Sequence, residues 1–143
     1  MARRCGVYLV DRIVVQKARR EMALLSGEAV VRTYRVALGR DPVGHKRQEG
    51  DGRTPEGRYL IDRRNPESKY HLSLHISYPN EADVARARSA GVDPGGDIMI
   101  HGLKAGVVHP DSDWTQGCIA VTDAEMDEIW DLVEDGTPIE ICP

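Results

Sequence analysis

Residues 70–78 alternate without interruption, with Tyr70, Leu72, Leu74, Ile76 and Tyr78 on one side and His71, Ser73, His75 and Ser77 on the other. Successive side chains of extended backbone point to opposite faces, so this period of two predicts a half-buried strand. A strand with one apolar face needs neighbours at its edges and a second layer against that face. The rest of the chain supplies both. Ile13-Val14-Val15 is a β-branched run, and residues 19–25 and 28–38 flank Ser26-Gly27 as the arms of a hairpin. Residues 57–61 read as a further strand and Ile139-Glu140-Ile141 as the closing one. Residues 39–56, rich in Gly and broken by Pro42 and Pro55, read as loop.

Only two stretches carry helical signals. Asn80 can cap a helix over 81–90, with Asp83 near its start and Gly91 as its stop. Thr122-Asp123-Ala124-Glu125 matches a capping box, after which Met126, Ile129, Trp130 and Val133 share one face up to Gly136. The expected fold is mainly β with two short helices (α+β), in a single domain over residues 1–143.

Composition narrows the function. Phe is absent and aromatic residues make up 5%, so aliphatic side chains must fill the core. No apolar run approaches the ~20 residues of a membrane helix. The segment 1–10 has two Arg before an apolar patch that ends at Asp11, shorter than the ~7–15 uninterrupted apolar residues of a secretory signal. The net charge of −4 hides an asymmetry: residues 1–64 hold 15 Lys/Arg against 8 Asp/Glu, and residues 101–143 hold 1 against 10. A basic first half could attract a polymer rich in carboxylates, while two solvated faces are the simpler reading of this split, and seven acids within 122–136 fit an outer helix face. With no nucleic-acid-binding motif in the chain, nucleic acid is not an expected partner. His71 and His75, four apart on a strand, would lie roughly 13 Å from each other, too far to share an ion, and read as solvated or cleft-facing.

The chemistry concentrates between residues 97 and 120. Ile98, Met99 and Ile100 read as a short buried strand that delivers His101 at its end, where Gly102 lets the chain turn. After a polar loop, Thr115-Gln116-Gly117-Cys118 enters the apolar run Ile119-Ala120-Val121. A thiol needs a base to react near neutral pH, and imidazole is the side chain that titrates closest to that range. Gly117 permits close backbone approach. From the residues alone three readings stand: a nucleophile pair, a zinc site with His109 and an acid, or a buried thiol beside a structural histidine. Within residues 97–120 no Cys-x-x-Cys or His-x-x-x-His pair of a compact zinc site occurs. Of the three cysteines, Cys5 and Cys142 lie at the two ends, where a disulfide or burial is equally conceivable, and Cys118 is the one left as a free thiol.

His101-Gly102, a loop and then Thr115-Gln116-Gly117-Cys118-Ile119 resemble the catalytic motif of the L,D-transpeptidase (YkuD-type) family. Lys46 with 50–59 (Gly-Asp-Gly-Arg-Thr-Pro-Glu-Gly-Arg-Tyr) resembles its upstream signature, and Gly136-Thr137-Pro138-Ile139 its closing strand. The likeness runs from about Ile13 onward. Gln116 and Ala120 stand where most members carry His and Arg or Asn, and the wording around Trp114 is closer to the YafK-like branch, some of whose members hydrolyse wall linkages.

The resemblance implies a YkuD-like β-sandwich or barrel. Cys118 is then the nucleophile, His101 the base, the Gly102 carbonyl the group that fixes its tautomer, and the N–H groups of Gly117 and Cys118 the oxyanion donors. Thr115, Gln116, Trp114, Arg58 and Lys46 become candidate substrate contacts, with Arg53 beside them in the signature loop. The implied partners are peptidoglycan stem peptides and, as inhibitors, carbapenem-type compounds; the implied location is the cell envelope or periplasm. The mechanism requires no cofactor or metal. Three functions follow: transpeptidation through a thioester, hydrolysis of peptidoglycan or protein–peptidoglycan linkages with water as acceptor, and wall binding without catalysis.

Overall fold

The computed structural model describes residues 3–4, 7–103 and 112–143, and places one eight-stranded sheet at the centre of the chain. Two short strands, β1 (Arg3–Arg4) and β2 (Val7–Tyr8), pair with each other. The large sheet takes β3 (Arg12–Gln16), β4 (Glu21–Ser26), β5 (Ala29–Arg35), β6 (Gly57–Ser68), β7 (His71–Ile76), β8 (Met99–His101), β9 (Ile119–Ala120) and β10 (Pro138–Cys142). Their order is β5-β4-β3-β10-β6-β7-β8-β9. The hairpin of β4 and β5 forms as expected, and β10 closes the chain between β3 and β6.

The sheet curls until its two edges meet. Ala37, just beyond β5, exchanges backbone hydrogen bonds with Ala120 of β9 (3.0 and 2.9 Å), and Gly39 bridges Thr115. Closure of this kind removes open edges. It also fixes the Cys118 segment between the 36–39 chain and β8. Gly39 is required there, since any Cβ would collide with the Gly52 carbonyl.

Inside the curl lies the aliphatic core anticipated from the lack of Phe: Ile13, Met22, Leu24, Leu38, Ile61, Leu74, Ile76, Ile100 and Ile119 are fully buried. Helix α2 (Asp123–Leu132) lays Met126 and Ile129 onto it. Helix α1 (Glu81–Ala90) carries the Asn80 capping box and ends at Gly91 in the left-handed conformation (φ 71°), as read from the sequence.

Three expectations need correction. Strand β7 begins at His71, whose φ of 76° marks a turn, so Tyr70 stands outside the alternation; Ser73, placed on the polar face, is buried. Strand β6 continues seven residues past Ile61, through Pro66. Its first half pairs with β10 and its second with β7, and register shifts at Ile61/Arg63 and Asn65/Ser68 accommodate the bend and the proline. Helix α2 stops at Leu132 instead of Gly136. Its last turn has no basic residue, and Arg64 of β6 supplies one: the guanidinium donates to the Trp130 and Val133 carbonyls (3.1 and 2.6 Å) and lies 4.7 Å over the Trp130 ring. The acids of this helix lie on a solvated outer face, as expected, and some of them also have partners. Glu128 accepts from Tyr34 (2.9 Å), and Asp127 pairs with His71 (2.7 Å).

The polar loop 39–56 is held by three buried or half-buried anchors. Lys17 Nζ donates to the Gly44 and Thr54 carbonyls and to Glu56 (2.9, 2.7 and 3.1 Å). His45 Nδ1 accepts the Glu56 N–H at 2.7 Å, so its Nε2–H donates to Asp83 of α1 at 2.8 Å, where the Tyr59 hydroxyl also donates (2.7 Å). Asp51 accepts Lys46 Nζ at 2.9 Å together with the N–H groups of Arg47, Gln48 and Arg53. Burial alone would push this carboxyl up, but those donors outweigh it and hold it at about 2. Among the described residues no helix is long and apolar enough to cross a membrane. Cys142 ends β10 with a free thiol; Cys5 lies outside the described residues.

Candidate active site

Strands β8 and β9 run parallel, with Ile100 opposite Ile119 and His101 opposite Ala120. Cys118 immediately precedes β9 and so stands beside Met99, two residues before His101. Both line one cleft of about 500 Å³, shared with Tyr70, Trp114, Thr115, Gln116, Lys46 and Asp97.

His101 is buried. Its Nδ1–H donates to the Gly102 carbonyl at 2.6 Å, which leaves Nε2 with a free lone pair. The ring stacks on Tyr70 (centroids 4.3 Å apart, planes at 21°) and tilts against Trp114 (5.8 Å). Gly102 is fitted between the Tyr70 carbonyl and the Asp123 carboxylate, which in turn accepts the Leu103 N–H at 2.8 Å. Burial holds the imidazole below its ordinary 6.5, against the opposing pull of the Gly102 carbonyl.

The Cys118 thiol donates to the Asp97 carbonyl at 3.3 Å. Asp97 adopts a left-handed φ of 54°, which turns that carbonyl toward the sulfur. Burial pushes the thiol up to about 11; the Met99 N–H and the Lys46 ammonium act in the opposite direction, and the Asp97 charge adds to the rise. Both shifts favour the uncharged forms, neutral imidazole and neutral thiol. At pH 7 a thiol near 11 holds about 100-fold less thiolate than one at 9, partly offset by its greater nucleophilicity. Iodoacetamide should therefore modify Cys118 about tenfold more slowly than free cysteine, as followed by mass spectrometry of the Cys118 peptide. Alkylation as fast as free cysteine would mean a preformed thiolate.

Thr115 organises the turn before the sulfur. Its hydroxyl donates to the Cys118 carbonyl (2.7 Å) and accepts the Gly117 N–H (3.1 Å). Of the two expected oxyanion donors, the Gly117 N–H is bonded to Thr115, while the Cys118 N–H has no partner among the described residues. Gly117 itself has φ 136°, and a Cβ there would lie 2.7 Å from the Arg53 carbonyl and 3.0 Å from Ile98 Cδ1. Gly117→Ala is expected to cost about 3 kcal/mol, through strain and overpacking together. A urea midpoint equal to that of the parent chain would contradict the packing described.

The signature cations separate. Lys46 is buried in the cleft wall, bonded to Asp51 and the Gln48 carbonyl (3.2 Å). Arg53 faces a different hollow, against α1. Arg58 is not among the residues lining the cleft: it lies on the outer face of β6, 88% exposed and paired with Glu140 at 3.1 Å, because the alternation that buries Tyr59 turns its neighbour outward. Gln116 is exposed at the cleft mouth and Trp114 half-buried in its wall. His75 pairs with Asp62 (2.6 Å), and neither it nor His71 lines the cleft. His109, the third member of the zinc reading, lies outside the described residues. Sequence reasoning missed Tyr70, taken as core, and Asp97, whose role belongs to its backbone.

A curled, mostly β sheet with a histidine at the end of one strand and a cysteine just before its neighbour defines the class, and the comparisons agree. The family profile for the L,D-transpeptidase catalytic domain, YkuD, matches residues 10–141, and the chain belongs to that family. YafK of Escherichia coli K12 is 31% identical over 103 residues, covering 71% of this chain and 36% of YafK. Among solved structures, the helical cell shape determining protein Pgp2 of Campylobacter jejuni superposes with a TM-score of 0.74 at 23% identity, covering 92% of this chain and 47% of Pgp2. Bd1075 of Bdellovibrio bacteriovorus gives 0.67 at 25% identity, covering 94% and 48%. The chain spans about a third of YafK's length and about half of these two solved chains.

Proposed function

We propose that the chain is a cysteine acyltransferase acting on peptidoglycan stem peptides in the cell envelope, with Cys118 as nucleophile and His101 as general base. The observation that carries this reading is the His101 tautomer: with Nδ1–H held by the Gly102 carbonyl, Nε2 is left to accept a proton in the cleft that also exposes the Cys118 sulfur.

The thiol proton passes to Nε2 as sulfur attacks the amide carbonyl carbon after the third stem residue. Negative charge then collects on the carbonyl oxygen, which the Cys118 N–H can receive. The imidazolium returns its proton to the departing nitrogen, the C–N bond breaks, and a thioester remains. An amine from a second stem attacks the thioester, gives a proton to Nε2, and releases the sulfur, which recovers a proton from His101. Because burial disfavours both charged side chains, the proton shift and carbon–sulfur bond formation are coupled. Trp114 and Tyr70 form apolar walls that keep water from the imidazole, Gln116 offers an amide to the peptide at the mouth, and Lys46 lends positive charge to the cleft. Ala120 provides no cation for a stem carboxylate.

The test is incubation of the purified chain with defined muropeptides. New cross-linked dimers are the expected products. Shorter peptides alone, with no dimers at any acceptor concentration, would replace this reading with hydrolysis.

A further inference from the structure

We infer that the hollow behind the 46–53 turn is a second subsite, which binds a free carboxylate of the wall peptide; the assignment of the peptide rests on the function proposed above. The turn has two faces. Lys46, Glu49 and Gly50 line the Cys118 cleft, whereas Arg47, Gln48, Asp51 and Arg53 line a separate hollow of about 390 Å³ closed by α1. Arg86 projects into it from α1, above a floor of Ala87, Ala90 and Val92.

Three arginines line this hollow against two aspartates, Asp41 and Asp51. Asp51 is saturated by Lys46 and three backbone N–H groups, so its charge is already matched from the other face of the turn. Asp83, the only side-chain partner of Arg86 among the described residues, is 3.5 Å from it and already accepts from Tyr59, His45 and the Asn80 N–H. Arg53 reaches Asp41 only at 3.5 Å, and that carboxylate is 56% exposed. The Arg47 guanidinium has no partner among the described residues. Three arginines thus line one hollow, Arg53 and Arg86 in long ion pairs and Arg47 in none among the described residues, and guanidinium is the group that recognises planar carboxylates in pairs of hydrogen bonds. The floor of methyl groups suits a carboxylate borne on a small aliphatic residue, and the volume lies within the range of peptide-sized pockets. Asp51 ties the two faces into one rigid turn, so a peptide held here has a fixed relation to the thiol.

Arg47 and Arg86 lie outside the Cys118 cleft, and Arg47→Glu combined with Arg86→Glu tests the inference. With stem peptide as substrate, KM should rise at least tenfold in the double variant, while acylation of Cys118 by a carbapenem, which needs only the cleft, stays within twofold. Unchanged KM, or an equal loss in carbapenem acylation, overturns the subsite. Binding is read separately by calorimetry on the Cys118→Ala chain, with N-acetyl-D-alanyl-D-alanine, its C-terminal amide and inorganic phosphate. Heat from the acid that is absent with the amide and abolished by the double variant supports the assignment. Equal binding of amide and acid overturns it, as does phosphate binding at least as tightly as the acid. If carbapenem never labels Cys118 but the carboxylate still binds, the enzymatic reading falls and the subsite stands.

Discussion

Cys118→Ser lowers transpeptidation of a wall tetrapeptide by at least about 10⁴-fold, to the level of buffer alone. The substitution keeps shape and the capacity to donate to the Asp97 carbonyl, so the fold should be retained and the melting temperature should move little. What disappears is sulfur's nucleophilicity and its ability to form a thioester. A hydroxyl in the same burial has a still higher pKa than the thiol, and neutral imidazole is too weak to ionise it without a better-supplied oxyanion site. Residual turnover above about one hundredth of the parent rate would show that Cys118 does not carry the chemistry. Product formation is the readout, measured by chromatography of muropeptides at saturating substrate.

His101→Gln is expected to lower kcat by about 10²–10⁴-fold, the usual contribution of a positioned general base. Gln can stack on Tyr70 and bond the Gly102 carbonyl, so loss through misfolding is kept small, but it cannot take a proton. The pH profile separates base catalysis from support. In the parent chain the acid limb should fall below the ordinary histidine value of 6.5, because burial disfavours the imidazolium and the neutral ring is the active form. Activity is therefore present above that limb and lost as pH falls through it. In the variant that limb should vanish and the rate should climb with pH toward the thiol's own value near 11. An acid limb that persists unchanged in His101→Gln would assign it to another group.

Much of this fold was legible because period and punctuation are local properties. The capping residues Asn80 and Thr122 located both helix starts, and Ser26-Gly27 located the hairpin. What escaped was decided by contacts distant in sequence. Strand β6 runs past Ile61 through Asp62, Arg63, Arg64 and Asn65, polar residues with no strand signature, because β7 pairs with it. Helix α2 ends early, where Arg64 meets its last carbonyls. The site divides in the same way. His101, Gly102, Gly117 and Cys118 were marked by residue type and motif, whereas the Asp97 carbonyl acts through a backbone dihedral that side-chain identity does not reveal. Motif proximity said nothing about strand parity, which turns Arg58 outward, and a turn at His71 takes Tyr70 out of an alternation that looked continuous. Lys17, His45 and Asp51 order a loop whose composition suggested no order at all.

Mass spectrometry of a covalent adduct tests the central claim most directly. The chain is mixed with a carbapenem, quenched in acid and digested, and the modified peptide is fragmented. One equivalent should be found on the peptide containing Cys118, and it should be absent in Cys118→Ser and formed far more slowly in His101→Gln. No adduct on the folded parent chain, or an adduct confined to Cys142, would contradict an acyl-transfer site built from Cys118 and His101.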